Sequence, residues 1–172
     1  MITENFISLR VAVLVISDTR NKRSDKSGRI LEERISQSGH RISEKTFIKD
    51  DEKKIYESLK KLVGSPKTDV IILTGGTGLT GRDSTPEAVK KILDKEIPGF
   101  GEIFRFLSFQ KIGTSSLQSR ALGGLANSKF VFALPGSPNA CKDAWDQILK
   151  FQLDSRTQPC NLVELIPRLK EK

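Results

Sequence analysis

Apolar positions along the chain switch repeatedly between two spacings. Residues 10–17, RVAVLVIS, form a nearly continuous apolar run of the kind buried on both faces of a parallel sheet, and read as a first strand. Residues 27–38 follow at helical spacing, with Ile30, Leu31 and Ile35 on one stripe and Gly39 placed to stop the helix. Residues 40–48 resemble a strand nearer a sheet edge. Asp50 then stands where an N-cap should, and Ile55, Leu59, Leu62 and Val63 recur at helical intervals until Gly64. A short buried strand, residues 69–74, comes next.

The second half keeps the alternation. Residues 86–95 read as a short helix, and residues 99–110 as another whose Phe100, Ile103, Phe104 and Leu107 face one way, as core or subunit contact. Residues 121–126 and 129–134 flank Asn127-Ser128, the pattern of a tight hairpin, which places one antiparallel strand in an otherwise parallel sheet. A glycine turn at 134–138, LPGSP, launches a last helix to about Gln152. From Leu153 onward the chain is polar and interrupted by Pro159 and Pro167, an arm lying on the domain or on a neighbour. With no internal repeat and no linker composition, residues 1–172 read as a single α/β domain with 153–172 as its C-terminal arm.

The stretch at 69–87, DVIILTGGTGLTGRDSTPE, departs most from plain core patterning. A buried strand breaks into glycines and small hydroxyls before an Arg-Asp pair and a new helix, with Ser84 or Thr85 as the N-cap and Pro86 as the first helical residue. Glycines let backbone N–H groups approach an anion, and the helix start adds the positive end of its dipole. Two phosphate motifs match on paper and fail in detail. In G-x-G-x-x-G dinucleotide loops the helix opens within the glycines, and an acid about 20 residues on ends a strand; here the helix starts late, and Asp94 and Glu96 sit at a helix end. A P-loop needs Lys and Ser or Thr after its last glycine, where this chain has Arg82 and Asp83. A carboxylate in that place points to phosphate bound through a divalent cation held by Asp83.

Composition narrows the classes. Charged residues at 29% and hydrophobic ones at 37% describe a soluble globular chain; no segment nears the ~18 apolar residues of a membrane span, and the first ten residues lack the regions of a signal peptide. A cytoplasmic protein is expected. Cys141 and Cys160 share no C-x-x-C spacing and read as free thiols, and the single His40 reads as a surface residue. The net charge of +8 favours an anionic partner. Lys53, Lys54, Lys60 and Lys61 fit a solvated helix face, and nucleic-acid binding has only the bulk charge in its favour.

Together the motifs resemble the MoaB/MogA family of molybdenum cofactor biosynthesis. The residues carrying the likeness are TGGTG at 74–78 with Asp83 and TPEA at 85–88, PGFGE at 98–102, Ser119-Arg120, and LPGSPNA at 134–140. The resemblance runs from VLVISD at 13–18 through the final helix, and the tail SRTQPCN at 155–161 is more similar to the protein B branch than to the dedicated adenylyltransferases.

The resemblance implies a three-layer α/β/α fold with a mostly parallel sheet, assembled as a homo-oligomer, trimer or hexamer. It implies molybdopterin and ATP as substrates and, in active members, Mg²⁺-dependent transfer of AMP to the molybdopterin phosphate. A phosphate monoester is ionised at neutral pH and needs no Ser, Cys or His nucleophile, which suits a chain poor in His and Cys. By the resemblance Asp50 and Asp83 occupy the places of the family's two functional aspartates, as metal ligands and aligning groups. Thr74, Gly75, Gly76, Thr77 and Gly78 would cradle phosphate with Gly136, Ser137 and Pro138; Ser17 and Asp18 would line the nucleotide side, with Ser115 and Ser119 as further candidates. Against these stand blander roles: Asp50 as an N-cap alone, the glycines as turn formers, the serines as caps. The adenylyltransferases usually carry Pro before the first aspartate, where this chain has Lys49. Three functions remain open: a nucleotidyltransferase, a pterin-binding oligomer without catalysis, and a basic anion- or nucleic-acid-binding protein.

Overall fold

The computed structural model describes residues 5–19 and 22–171. Lys172 at the end of the arm and the first four residues of the stretch read for a signal peptide lie outside the described residues. Strand β1, Arg10–Ile16, is apolar from Val11 onward because both of its faces are covered. Val11, Val13 and Val15 enter one core with Leu31, Ile35, Phe100, Phe104 and Trp145, and Ala12, Leu14 and Ile16 enter a second with Ile55, Leu59, Ala88 and Val89. The two-residue period of the strand thus sorts its side chains into two hydrophobic layers.

Strands β2 (Arg41–Ile48), β3 (Val70–Thr74), β4 (Lys95–Glu96), β5 (Leu122–Ala126) and β6 (Lys129–Leu134) complete a six-stranded sheet in the order β2-β1-β3-β6-β5-β4. Strands β1, β2, β3 and β6 are parallel; β5 runs against both β6 and β4. The β5–β6 turn has Asn127 at φ 47° and Ser128 at φ 61°, the two left-handed positions of a twist-matched hairpin. Helices α1 (Ser27–Gln37), α4 (Pro98–Ile112) and α5 (Pro138–Ala144) cover one face. Helices α2 (Glu52–Gly64) and α3 (Thr85–Ile92) cover the other, completing the α/β/α layering. After α5 the chain stays helical through a π turn, Trp145–Leu149, to Lys150–Gln152.

Several local expectations are corrected. The cap of α2 is Asp51, whose carboxylate accepts the Lys54 N–H, so Asp50 is free of that duty. The helix expected to reach Lys95 ends at Ile92; Leu93 is extended and the Asp94 N–H donates to Leu125 O at 2.7 Å, because pairing with β5 captures the last turn as edge strand β4. On α4 only Phe100, Phe104 and partly Leu107 face the core, while Ile103 points outward at 52% exposure. His40 is buried, not at the surface: the Gly39 turn folds it between the chain's N-terminal segment and Trp145. The arm lies on its own domain, with Leu153, Ser155, Asn161 and Val163 buried and Leu162, Ile166 and Leu169 packed on the α1/α4/α5 core.

Candidate functional site

Strand order reverses at β1. The chain leaves β1 for β2 on one side and returns to β3 on the other, so the loops after β1 and β3 diverge and leave a crevice at the strands' C-terminal ends. A cavity of ≈ 610 Å³ occupies it. Ser17 and Asp18 reach it from β1, Asp50 from the end of β2, the glycine loop from β3, and Pro135, Gly136 and Ser137 from β6. Phe104, Ser108 and Ile112 of α4, Ala140 of α5, and Ser115, Gln118 and Ser119 close the opposite wall.

The glycine loop is held by small hydroxyls and one guanidinium. Thr85 Oγ1 donates to Gly75 O at 2.8 Å and the Thr85 N–H to Gly76 O at 3.0 Å, tying the loop to the start of α3. The Thr74 hydroxyl donates to Pro135 O at 3.0 Å, locking the two glycine turns side by side. Arg120 donates from Nε to Gly78 O at 2.8 Å and from Nη2 to Asp83 O at 2.7 Å, and pairs with Glu87. Its guanidinium thus staples both ends of residues 78–83 from outside the cavity.

Two glycines make room for the acids. At Gly76, φ +64°, a Cβ would stand 2.7 Å from Asp50 Oδ2 and 2.4 Å from Thr85 Oγ1. At Gly78 it would stand 2.6 Å from Asp83 Oδ2. Side chains at either position would displace a carboxylate, so both acids rest on one bare strip of backbone.

Their electrostatics differ. Asp50 Oδ1 accepts the Ser84 N–H at 3.2 Å and the Ser84 hydroxyl at 3.0 Å, yet burial, with the charges of Asp83 and Asp18, pushes its pKa above the ordinary carboxylate value. Asp83 is held below that value, chiefly by the Thr80 hydroxyl at 2.6 Å and also by the Thr80 N–H at 2.9 Å. The described residues lining the cavity include three carboxylates and no Lys or Arg. This wall is opposite in sign to a chain of net charge +8 and short of positive charge, which fits a divalent cation. Among the described residues no three acidic, His or Cys side chains are close enough to enclose an ion unaided, so such an ion would take further ligands from phosphate, as Mg²⁺ does.

Of the residues predicted from sequence, Ser17, Asp18, Asp50, Gly75, Gly76, Thr77, Gly78, Asp83, Ser115, Ser119, Gly136 and Ser137 line this cavity. Thr74 and Pro138 do not. Thr74 is fully buried under the loop with its hydroxyl committed to Pro135, and Pro138 begins α5 behind the Ser137 cap, without an N–H to offer. The sequence reading missed Ser84 and Thr80, which hold the acids, the Arg120 staple, and the apolar wall of Phe104, Ile112 and Ala140. The available signals pointed elsewhere: Ser84 read as a helix cap, Phe104 as core or subunit contact, and Ser119-Arg120 and Ala140 as parts of motifs without a role of their own.

Residues 12–155 match the family described as "Probable molybdopterin binding domain". Over 160 residues, 93% of this chain and 94% of the relative, the sequence is 44% identical to molybdenum cofactor biosynthesis protein B of Escherichia coli (strain K12). The fold superimposes on a crystal structure of a molybdenum cofactor biosynthesis protein B with TM-score 0.86 at 36% identity, covering 96% of this chain and 98% of that one. The tungsten cofactor synthesizing protein MoaB from Pyrococcus furiosus aligns with TM-score 0.78 at 30% identity over 95% and 98% of the two chains. The chain therefore belongs to the molybdopterin-binding domain family of molybdenum cofactor biosynthesis, the family of protein B.

Proposed function

We propose that the switch-point cavity binds molybdopterin and ATP and, with Mg²⁺, transfers AMP to the terminal phosphate of molybdopterin. The observation carrying this reading is that Asp50 and Asp83, distant in sequence, rest against Gly76 and Gly78 of one loop and face one cavity. The glycine loop lets backbone come close to an anion, and the apolar wall of Phe104, Ile112 and Ala140 suits a flat ring. A molybdopterin phosphate oxygen attacks the α-phosphorus of ATP; the new P–O bond forms as the bond to pyrophosphate breaks. The attacking oxygen is already ionised, so the chain has only to align two phosphates and keep them in line. A Mg²⁺ ion held by Asp50 and Asp83 would offset the charge gathered between them.

A homo-oligomer belongs to the same reading. Ile103, Phe106 and Phe109 on α4 and Leu117 just beyond are 52–80% exposed, an apolar surface of the kind that subunit contacts cover. Among the described residues no helix is long and apolar enough to cross a membrane. We place the activity in the cytoplasm, where ATP is supplied.

The test is pyrophosphate release from ATP with purified molybdopterin and Mg²⁺, expected in the native chain and lost in Asp83→Asn. Undiminished turnover in that variant would refute the mechanism. Saturable molybdopterin binding with labelled ATP left intact would instead make the protein a non-catalytic binder in the same pathway. Binding that ignores the glycine loop and falls steeply with salt would mark bulk-charge capture of anions or nucleic acid.

A further inference from the structure

The cavity has an unusual charge problem for a phosphate site. Asp18, Asp50 and Asp83 line it, and the described lining residues supply no cationic side chain. Among the described residues, Arg82 is the cation paired with a lining carboxylate, its Nη2 lying 2.7 Å from Asp18 Oδ2 at the rim. Arg120, a second guanidinium at the loop, is committed to Gly78 O, Asp83 O and Glu87. Arg82 is committed to much less: its side chain is 73% exposed, and its pair with Asp18 bridges the loops after β1 and β3 across the mouth of the cavity.

Resting on the function proposed above, we propose that Arg82 is the phosphate-engaging cation of this site, parked on Asp18 until a polyphosphate arrives. An exposed ion pair is weak and easily exchanged. A terminal phosphate matches the two-point geometry a carboxylate offers a guanidinium and adds a further charge and a further acceptor oxygen, so it competes well against Asp18. Residues 80–83 close into a turn, the Asp83 N–H donating to Thr80 O at 3.1 Å and Thr80 in turn binding the Asp83 carboxylate. Arg82 therefore projects from a braced turn and can change partner without disturbing Asp83.

The exchange couples two ligands. When Arg82 leaves for phosphate, Asp18 faces the cavity without its counter-charge, beside Asp50, whose pair of like-charged neighbours already leaves it short of cation. Phosphate binding thus raises the demand for a divalent ion, and the ion in turn relieves the carboxylates that would repel phosphate. By reciprocity each ligand strengthens the other by one factor. Arg82 contacts the phosphate, and Asp18 acts as a positioning residue that holds Arg82 at the rim until phosphate displaces it.

The experiment measures equilibrium binding of Mn²⁺, by paramagnetic resonance or calorimetry, with and without tripolyphosphate, in the full chain and in Arg82→Gln and Asp18→Asn. Both positions are exposed at the rim, and thermal melts confirm folding. In the native protein tripolyphosphate should tighten Mn²⁺ binding at least about tenfold. Arg82→Gln should bind Mn²⁺ alone more tightly than native, bind tripolyphosphate more weakly, and show measurably smaller coupling, keeping the share that direct metal–phosphate ligation supplies. Asp18→Asn should bind metal-free tripolyphosphate more tightly, because Arg82 is released. Native coupling left intact in Arg82→Gln would overturn this proposal and leave the functional reading standing. Absence of both Mn²⁺ and tripolyphosphate binding in the native chain would overturn both.

Discussion

Ser84 gives Asp50 two donors at once, its N–H 3.2 Å and its hydroxyl 3.0 Å from Oδ1, and so aims an acid from the end of β2 into a loop that follows β3. Asp51 caps α2 in its place, which leaves Asp50 with no helix to serve. The adjacent pair of aspartates divides structure and chemistry between neighbours. Burial and the charges of Asp83 and Asp18 make ionised Asp50 costly to the fold. With a folded-state pKa above the unfolded one, its stabilising share is full at low pH and lost as pH rises through the raised value. Near neutrality the neutral isostere Asp50→Asn, which still accepts from Ser84, should therefore raise Tm, by less than the roughly 2–4 °C that ~1 kcal/mol gives in a chain this long, because solvent screens a half-buried carboxylate. The same variant should lose nucleotide transfer. A Tm at or below native would show that the site stores no such repulsion.

Ser84→Ala tests the aim and not the charge. It deletes the hydroxyl donor and keeps the N–H, so Asp50 stays in place with a wider swing. We expect turnover to fall about fivefold and Tm to drop by no more than about 2–4 °C, since one hydrogen bond contributes ~1 kcal/mol. Equal turnover in Ser84→Ala and the native chain would mean that the backbone donor alone suffices.

Arg120 acts from behind the loop. Its three partners, two carbonyls of residues 78 and 83 and the Glu87 carboxylate, demand the fork of a guanidinium, which an ammonium cannot reproduce. Arg120→Lys should cost about 1–3 kcal/mol, raise amide exchange across residues 78–84, and weaken phosphate binding while leaving the sheet's protection unchanged. Unaltered exchange in that segment would show that Thr80 and Thr85 hold the loop without help.

Gly78→Ala separates site from fold more sharply. The added methyl would stand 2.6 Å from Asp83 Oδ2, and the carboxylate, at the surface end of the loop, is what must move. The circular dichroism should remain native while nucleotide binding weakens at least about tenfold, ~1.4 kcal/mol. A Gly78→Ala variant that binds as the native chain does would remove Asp83 from the ligand's path.

Much of this architecture was legible in the sequence because it rests on local rules. The continuous apolar run of β1 announced a strand covered on both faces, Asn127-Ser128 announced the hairpin, and the two glycine turns announced loops at strand ends meeting in one crevice. What escaped depends on contacts between distant segments. Nothing local distinguishes Asp50 from Asp51 as a cap; Ser84, across the cavity, decides it. Strand β4 exists because β5 captures two residues that helical spacing would extend. The outward turn of Ile103 and Phe106 follows from which stripe of an apolar helix meets the sheet, a choice the helix's own sequence leaves nearly balanced. The burial of His40 likewise comes from two segments that approach it from opposite ends of the chain.

That histidine carries a pH dependence. His40 Nδ1 accepts the Leu9 N–H at 3.1 Å, which fixes the neutral tautomer with its proton on Nε2, and the ring lies 5.1 Å from Phe6 and 6.1 Å from Trp145. Burial pushes its pKa below the ordinary 6.5, against an opposing pull from Asp154. As pH falls through that ordinary value the unfolded chain binds the proton first, so the stability owed to neutral His40 is full above it and is lost progressively below, down to the depressed folded value. Tm should drop between about pH 7.5 and 5.5, and the drop should be smaller by roughly 2–4 °C in His40→Asn, whose amide oxygen can still accept from Leu9 and which does not titrate. Asp154, the carboxylate that pulls on His40, is held below the ordinary carboxylate value and is ionised across that range, and the other carboxylates are common to both chains, so the difference between the two slopes belongs to the His40 proton. Parallel slopes would mean that the imidazole protonates in the folded chain as readily as in the unfolded one, and that Phe6 and Trp145 open to let water reach it.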